Sequence, residues 1–311
     1  MTAKPWVAIA IAAMAAVMVF ATAGAVRDAR AGRARSEVEA ALAAGLQEIQ
    51  AGRYREAEGR LRPALALAER SLGEEDVDTG QVLNALGMVD KYTARFDEGR
   101  MFYERALVIA ERANPVQPLA AADVLHNLGG LEHARGHCAE AEPFARRAVE
   151  VRAAALGTDH VAVAADRAAL APILACQGKD DEAASLLESA IAVFDRTYGP
   201  QHADTAVALN NLAAIYQGRG QFDRAEPLYR RALAIKEALL PPDHPDIART
   251  ANNLAVLYRR SGRPEEAVAL SARALGILDR AFGPGHPEVV AVRANLERAR
   301  RQQSLTPPAS P

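Results

Sequence analysis

Four histidines, His160, His202, His244 and His286, recur 42 residues apart, each closing a turn that contains glycine or proline. Imidazoles in one column invite a metal reading, because neutral imidazole is a common ligand. Units stacked one helix pair apart hold equivalent positions too far apart to share an ion, so the recurrence predicts a turn role. A denser set is His133, His137 and Cys138, with Glu140 and His126 near in sequence. Imidazole, thiolate and carboxylate are ligands for zinc or copper. His133 and His137 are four residues apart, but Gly136 between them predicts a helix break and no shared face. No metal or other cofactor is assigned. Cys138 and Cys176 lie 38 residues apart, at the corners of adjacent units. Neighbouring helices pack roughly 8–10 Å apart, whereas a disulfide needs Cα atoms within about 7 Å. Whether the two are bonded is left open. The chain carries no nucleophile–base motif, phosphate loop or metalloprotease helix, and Gly283-Pro284-Gly285 closes a turn without a strand–helix context. The expectation is a protein that is not an enzyme.

These side chains are positioned by an internal repeat. Gly52-Arg53-Tyr54-Arg55-Glu56-Ala57-Glu58 returns as Gly136-His137-Cys138-Ala139-Glu140-Ala141-Glu142 and as Gly220-Gln221-Phe222-Asp223-Arg224-Ala225-Glu226. Intermediate copies begin at Ala94, Gly178 and Gly262, giving six units of 42 residues. Within one unit, Leu209, Leu212, Ala213 and Tyr216 form one helical stripe. Gly218-Arg219-Gly220 breaks that helix, and Ala225, Leu228, Tyr229 and Ala232 form the stripe of a second. Ala64, Ala106, Ala148, Ala190, Ala232 and Ala274 share one column, which marks a close helix crossing. A helix pair with two apolar faces cannot bury both alone, so the fold class is all-α, a solenoid of stacked helix-turn-helix units. The repeats are expected over 36–286, a capping helix over 287–303 and a disordered tail over 304–311.

The counted charges, 37 basic against 39 acidic, leave a net charge of −2 and no basic excess for nucleic acid. The first 35 residues differ from the rest. An uncharged run over 6–26 follows Lys4 and precedes Arg27, Arg30, Arg33 and Arg35. About twenty such residues suffice to cross a bilayer. Ala21-Thr22-Ala23 equally resembles the cleavage site of a secretory signal. The expectation is therefore the cell envelope, with the chain either periplasmic or secreted behind a signal peptide, or held by a single transmembrane helix.

The run Asn210-Asn211-Leu212-Ala213, Tyr216, Gly220 and Ala225-Glu226-Pro227-Leu228-Tyr229-Arg230-Arg231-Ala232-Leu233, closed by Asp243-His244-Pro245-Asp246, resembles the tetratricopeptide repeat. It is most similar to the 42-residue variety of kinesin light chains and bacterial repeat proteins, over roughly residues 36–300. The resemblance implies a right-handed superhelix whose first helices line a peptide-binding groove. Two places depart from it: Asn114-Pro115-Val116-Gln117-Pro118 replaces the expected glycine and histidine, and Pro172 falls inside the fourth unit's first helix. A proline there is expected to kink the helix and interrupt the groove.

At about 100° per residue, the face opposite the core stripe can be named. It carries Val207, Asn211, Ala214 and Gly218, flanked by Asn210 and Gln217. One unit on it carries Arg249, Asn253, Val256 and Arg260, flanked by Asn252 and Arg259. Earlier units offer Asp123 and Asn127 beside His126 and His133, and Gln81, Met88 and Tyr92 beside Asn84 and Lys91. An asparagine amide both donates and accepts, so it can pair with an extended peptide backbone whatever its sequence. Arginine beside it favours carboxylates. In the resembled family, matching asparagines hold peptide backbones. The expected binding set is Asn210, Asn211, Gln217, Arg249, Asn252, Asn253, Arg259, Arg260, Asn84 and Asn127. The expected function is a scaffold for a protein or peptide partner; the alternative is a structural spacer or assembly subunit using another surface.

Overall fold

The computed structural model describes the backbone of residues 5–305 and the side chains of residues 28–305. The side chains of the apolar leader run, and the tail beyond 305, lie outside the described residues. Among the described residues no helix is long and apolar enough to cross a membrane.

Every regular element among the described residues is an α-helix, and the chain divides into two compact units, one ending at His137 and one starting at Cys138. The first unit contains α1 (Pro5–Gln50), α2 (Tyr54–Ser71), α3 (Val77–Tyr92), α4 (Phe96–Arg112) and α5 (Pro118–Ala134). The boundary expected at residue 35 falls inside α1. Packing starts earlier because Ala34 is buried and Arg35 reaches Asp76 at 2.8 Å and Asp78 at 2.6 Å. Val38, Ile49, Leu61, Val82, Leu86 and Val89 form the apolar centre of this unit. Gly87 is required by a close approach: a Cβ there would lie 2.6 Å from the ring of the fully buried Tyr103.

The second unit contains α6 (Cys138–Leu156), α7 (Val161–Ala175), α8 (Asp180–Tyr198), α9 (Ala203–Gly218), α10 (Phe222–Leu239), α11 (Pro245–Arg260), α12 (Pro264–Phe282) and α13 (Pro287–Leu305). Successive helices pack as hairpins, α7 on α8, α9 on α10 and α11 on α12, with α13 closing on α12. Ala190, Ala232 and Ala274 are fully buried, as a close crossing requires. The histidine column has a structural role. The Nδ1 atoms of His160, His202, His244 and His286 accept the backbone N–H of Ala162, Asp204, Asp246 and Glu288 at 3.1, 3.3, 3.1 and 3.3 Å. Each imidazole thereby satisfies one of the donors that the first turn of a helix leaves without an intrahelical partner.

Pro172 does not interrupt α7: the helix runs on to Ala175, and Cys176 N–H donates to Pro172 O at 3.1 Å. A proline this near the C-terminus removes one hydrogen bond and leaves only one turn beyond it. Cys138 and Cys176 are bonded, with Cα atoms 6.4 Å apart. The helix-axis spacing does not apply to them because they sit at helix ends, Cys138 opening α6 and Cys176 capping α7. Finally, α5 ends at Ala134 before Gly136 at φ 81°, so His133 and His137 do not share a helix face. The Cys138 sulfur is occupied by the disulfide.

Candidate partner-binding groove

In the second unit the first helices of successive hairpins, α7, α9, α11 and α13, lie side by side. Val207 is 50% exposed, and Ala214 and Gly218 are exposed beside it, so this face of α9 is open to solvent. Leu209, Leu212, Ala213 and Tyr216 on its other face are buried. A cavity of about 440 Å³ lies between α7 and α9, lined by Pro172, Ala175, Asn211, Ala214, Ile215 and Gly218, with Asp180 of α8 at its edge. Small side chains on both helices leave that space, with the Asn211 amide at its wall.

The asparagines do more than face solvent. Asn253 Nδ2 donates to Asn210 Oδ1 at 3.1 Å, and Asn295 Nδ2 donates to Asn252 Oδ1 at 3.1 Å. The first unit repeats the device, with Asn127 Nδ2 donating to Asn84 Oδ1 at 2.9 Å. Each bond spans 43 residues and ties one first helix to the next. An amide offers two donor hydrogens and two acceptor lone pairs. Each member therefore keeps capacity for a further partner while its orientation is fixed. Asn295 belongs to this set and was not among the expected residues; its signal was an asparagine one residue out of register with Asn252.

The arginines separate. Arg249 does not present a free fork: it donates to both oxygens of Glu288, at 2.8 and 3.0 Å, and to Asp246 Oδ1 at 2.5 Å. Glu288 is held below the ordinary carboxylate range by Arg249. These bonds make Arg249 a clamp between α11 and α13, its side chain still 46% exposed. Arg260 is exposed and lies over the Phe222 ring, 5.4 Å from its centroid. Gln217 and Arg259, one unit apart in the same register, each hold one buried polar atom with no hydrogen-bond partner among the described residues: the Oε1 acceptor of Gln217 and the Nε donor of Arg259. In the first unit, Gln81, Asn84 and Asp123 line a cavity of about 370 Å³ with Leu42, Leu46 and Ile109.

A tetratricopeptide repeat family model matches residues 37–113, 120–195, 169–238 and 242–310. The chain belongs to the tetratricopeptide repeat family. Proteins of this family are generally protein-interaction scaffolds, and no catalytic family is indicated. No curated protein sequence matches the chain. Among solved structures it is similar to BtubC from P. vanneervenii, at 24% identity and TM-score 0.58 over 80% of this chain and 93% of that one. Kinesin light chain TPR-like repeats from Podosopora anserina match at 26% identity and TM-score 0.53, over 60% and 88% of the two chains. Pseudomonas aeruginosa pilF matches at 18% identity and TM-score 0.54, over 84% and 98%. The first and last of these likenesses concern the fold alone. The tetratricopeptide register also accounts for why the binding candidates recur at fixed positions of each first helix.

Proposed function

We propose that this tetratricopeptide repeat protein is a scaffold that holds an extended segment of a partner protein against α9 and α11 of the second unit. The observation that carries the reading is the file of oriented, half-buried amides that ties neighbouring first helices, Asn210 to Asn253 and Asn252 to Asn295. Each amide keeps donor or acceptor capacity for an extended peptide backbone. Gln217 and Arg259 lie in the neighbouring register, and two of the buried polar atoms without partners among the described residues are theirs, one an acceptor and one a donor. The cavity at Asn211 receives a side chain of the bound segment. We place the protein in the cell envelope. The uncharged run and its basic flank support export, with the segment serving as a cleaved signal or as an anchor. The Cys138–Cys176 bond supports an oxidising compartment.

The test is affinity capture from the native host with the full chain as bait, beside Gln217→Ala/Arg259→Ala and Asn211→Ala versions, with bound proteins identified by mass spectrometry. Truncating atoms that have no partner in the free protein leaves the unfolding midpoint unchanged, while a partner using them is lost. Equal recovery on all three baits would defeat the groove reading and favour a spacer or assembly role through another surface.

A further inference from the structure

Only four lysines occur in the chain, Lys4, Lys91, Lys179 and Lys236, against an arginine-rich background. Those with described side chains are held differently. Lys179 Nζ lies 2.5 Å from Glu142 Oε2, and Lys236 Nζ donates to Thr250 Oγ1 at 2.9 Å. Lys91, in the last turn of α3, has no carboxylate or hydrogen-bond acceptor among the described residues. Its amine reaches across to α5 and rests on Gly130, where a Cβ would lie 2.8 Å from Nζ. The exposed Tyr92 ring, stacked on Tyr54 at 5.1 Å, stands 5.6 Å away. Burial first, and then the Lys91 charge, holds His133 of α5 below the ordinary imidazole value. The amine is therefore partly shielded from water, next to a second basic group, and lacks any counter-charge that would hold its proton.

From this arrangement we propose that Lys91 is a nucleophilic amine and a site of covalent acylation by small activated acyl donors, such as an acyl phosphate. Burial lowers the pKa of Lys91. The unprotonated Nζ attacks the acyl carbonyl; the N–C bond forms, the C–O bond to phosphate breaks, and phosphate departs with the electron pair. The proton released from nitrogen passes to the His133 ring or to water. The product is a neutral amide, which removes a charge from a place where only the Tyr92 ring face, and no carboxylate, meets it. This inference does not depend on the partner-binding reading, which concerns the second unit.

The experiment is limited acetylation of the purified full chain with acetyl phosphate at neutral pH, with site-resolved rates from peptide mass spectrometry. Lys91, shielded from water and without a carboxylate on its amine, is expected to react about tenfold faster than Lys179, whose amine lies against Glu142. In strong denaturant the two rates converge. A Gly130→Asp variant puts a Cβ where Nζ rests, so the flexible lysine end shifts to pair with the new carboxylate, and the Lys91 rate comes down toward that of Lys179. A Lys91 rate at or below that of Lys179 in the folded wild-type chain overturns the proposal. So does a fast rate that Gly130→Asp leaves unchanged, because the missing counter-charge would then not be its cause.

Discussion

Reduction of the Cys138–Cys176 bond is expected to weaken the second unit without unfolding it. The bond joins the first residue of α6 to the cap of α7 and closes a loop of 38 residues. On the chain-entropy account, a cross-link over that length restricts the unfolded chain by about 4 kcal/mol at room temperature. The native contacts of the corner do not depend on it. Gln177 Nε2 donates to Cys138 O at 3.1 Å, and the buried Arg152–Asp166 pair bridges α6 and α7 at 2.6 Å. The assay is urea unfolding of the full chain, oxidised, reduced with a phosphine, and as Cys138→Ser/Cys176→Ser. The reduced and double-serine forms should coincide and lie about 4 kcal/mol below the oxidised form. Amide exchange should place the loss in α6 and α7, because repeat arrays lose stability locally. Two free thiols in the native chain, or one midpoint for all three forms, would refute the reasoning.

Replacing His202 by alanine removes the acceptor of the Asp204 N–H, and the cost should be about 1 kcal/mol, largely restored by asparagine at the same position; thermal unfolding of the three forms reads it. Glu142 is brought from an ordinary value of 4.5 to about 2, chiefly by the hydrogen bond from Lys179, with Arg146 adding to it. A carboxyl whose folded value is depressed contributes stability above its unfolded value and loses it as pH falls toward the folded one. Glu142→Gln should therefore lower stability at pH 7 but not near pH 2, flattening the profile over the window from 4.5 to 2; an unchanged profile would show that the pair with Lys179 contributes nothing.

Much of the fold is legible in the sequence because each unit repeats the same burial problem. The alanine column, the stripe of Leu209, Leu212, Ala213 and Tyr216, and the turn glycines all follow from local spacing. The role of the histidine column was legible only as a turn feature, since an imidazole cap depends on which ring nitrogen faces the helix. The site was legible less completely. Neighbouring first helices are rotated so that an asparagine meets one in the next unit shifted by one position, as Asn210 meets Asn253. A strict comparison of columns passes over that pairing. Arg249 reads as a free cation until Glu288 is found beside it, because the partner lies 39 residues away, on a different helix. The disulfide stayed open in sequence because axis spacing describes the middle of helices, and both cysteines stand at ends.

One register shows how a single period can carry two chemistries. At equivalent positions 42 residues apart the first unit places Glu48, Asp90 and Glu132, all buried, and the second places Leu174, Tyr216 and Tyr258. A buried carboxylate requires a cation, and each has one. Arg60 reaches Glu48 at 2.6 Å, Arg95 reaches Asp90 at 2.5 Å and Arg100 reaches Glu132 at 3.1 Å. Burial still raises the pKa of Asp90 despite Arg95, so desolvation outweighs the pairing at that carboxyl. The tyrosines solve the same problem without buried charge. Their rings fill the core and their hydroxyls emerge to meet surface groups, Tyr216 with Glu188 and Arg224 at 2.5 Å each, and Tyr258 with Glu226 at 3.1 Å and Arg230 at 3.0 Å. Removing Arg95 would strand a charge in the core, whereas removing Arg230 would leave a neutral hydroxyl beside water. Equivalent positions of the repeat are thus unequal in what they tolerate: the first unit depends on intact ion pairs where the second depends on aromatic packing.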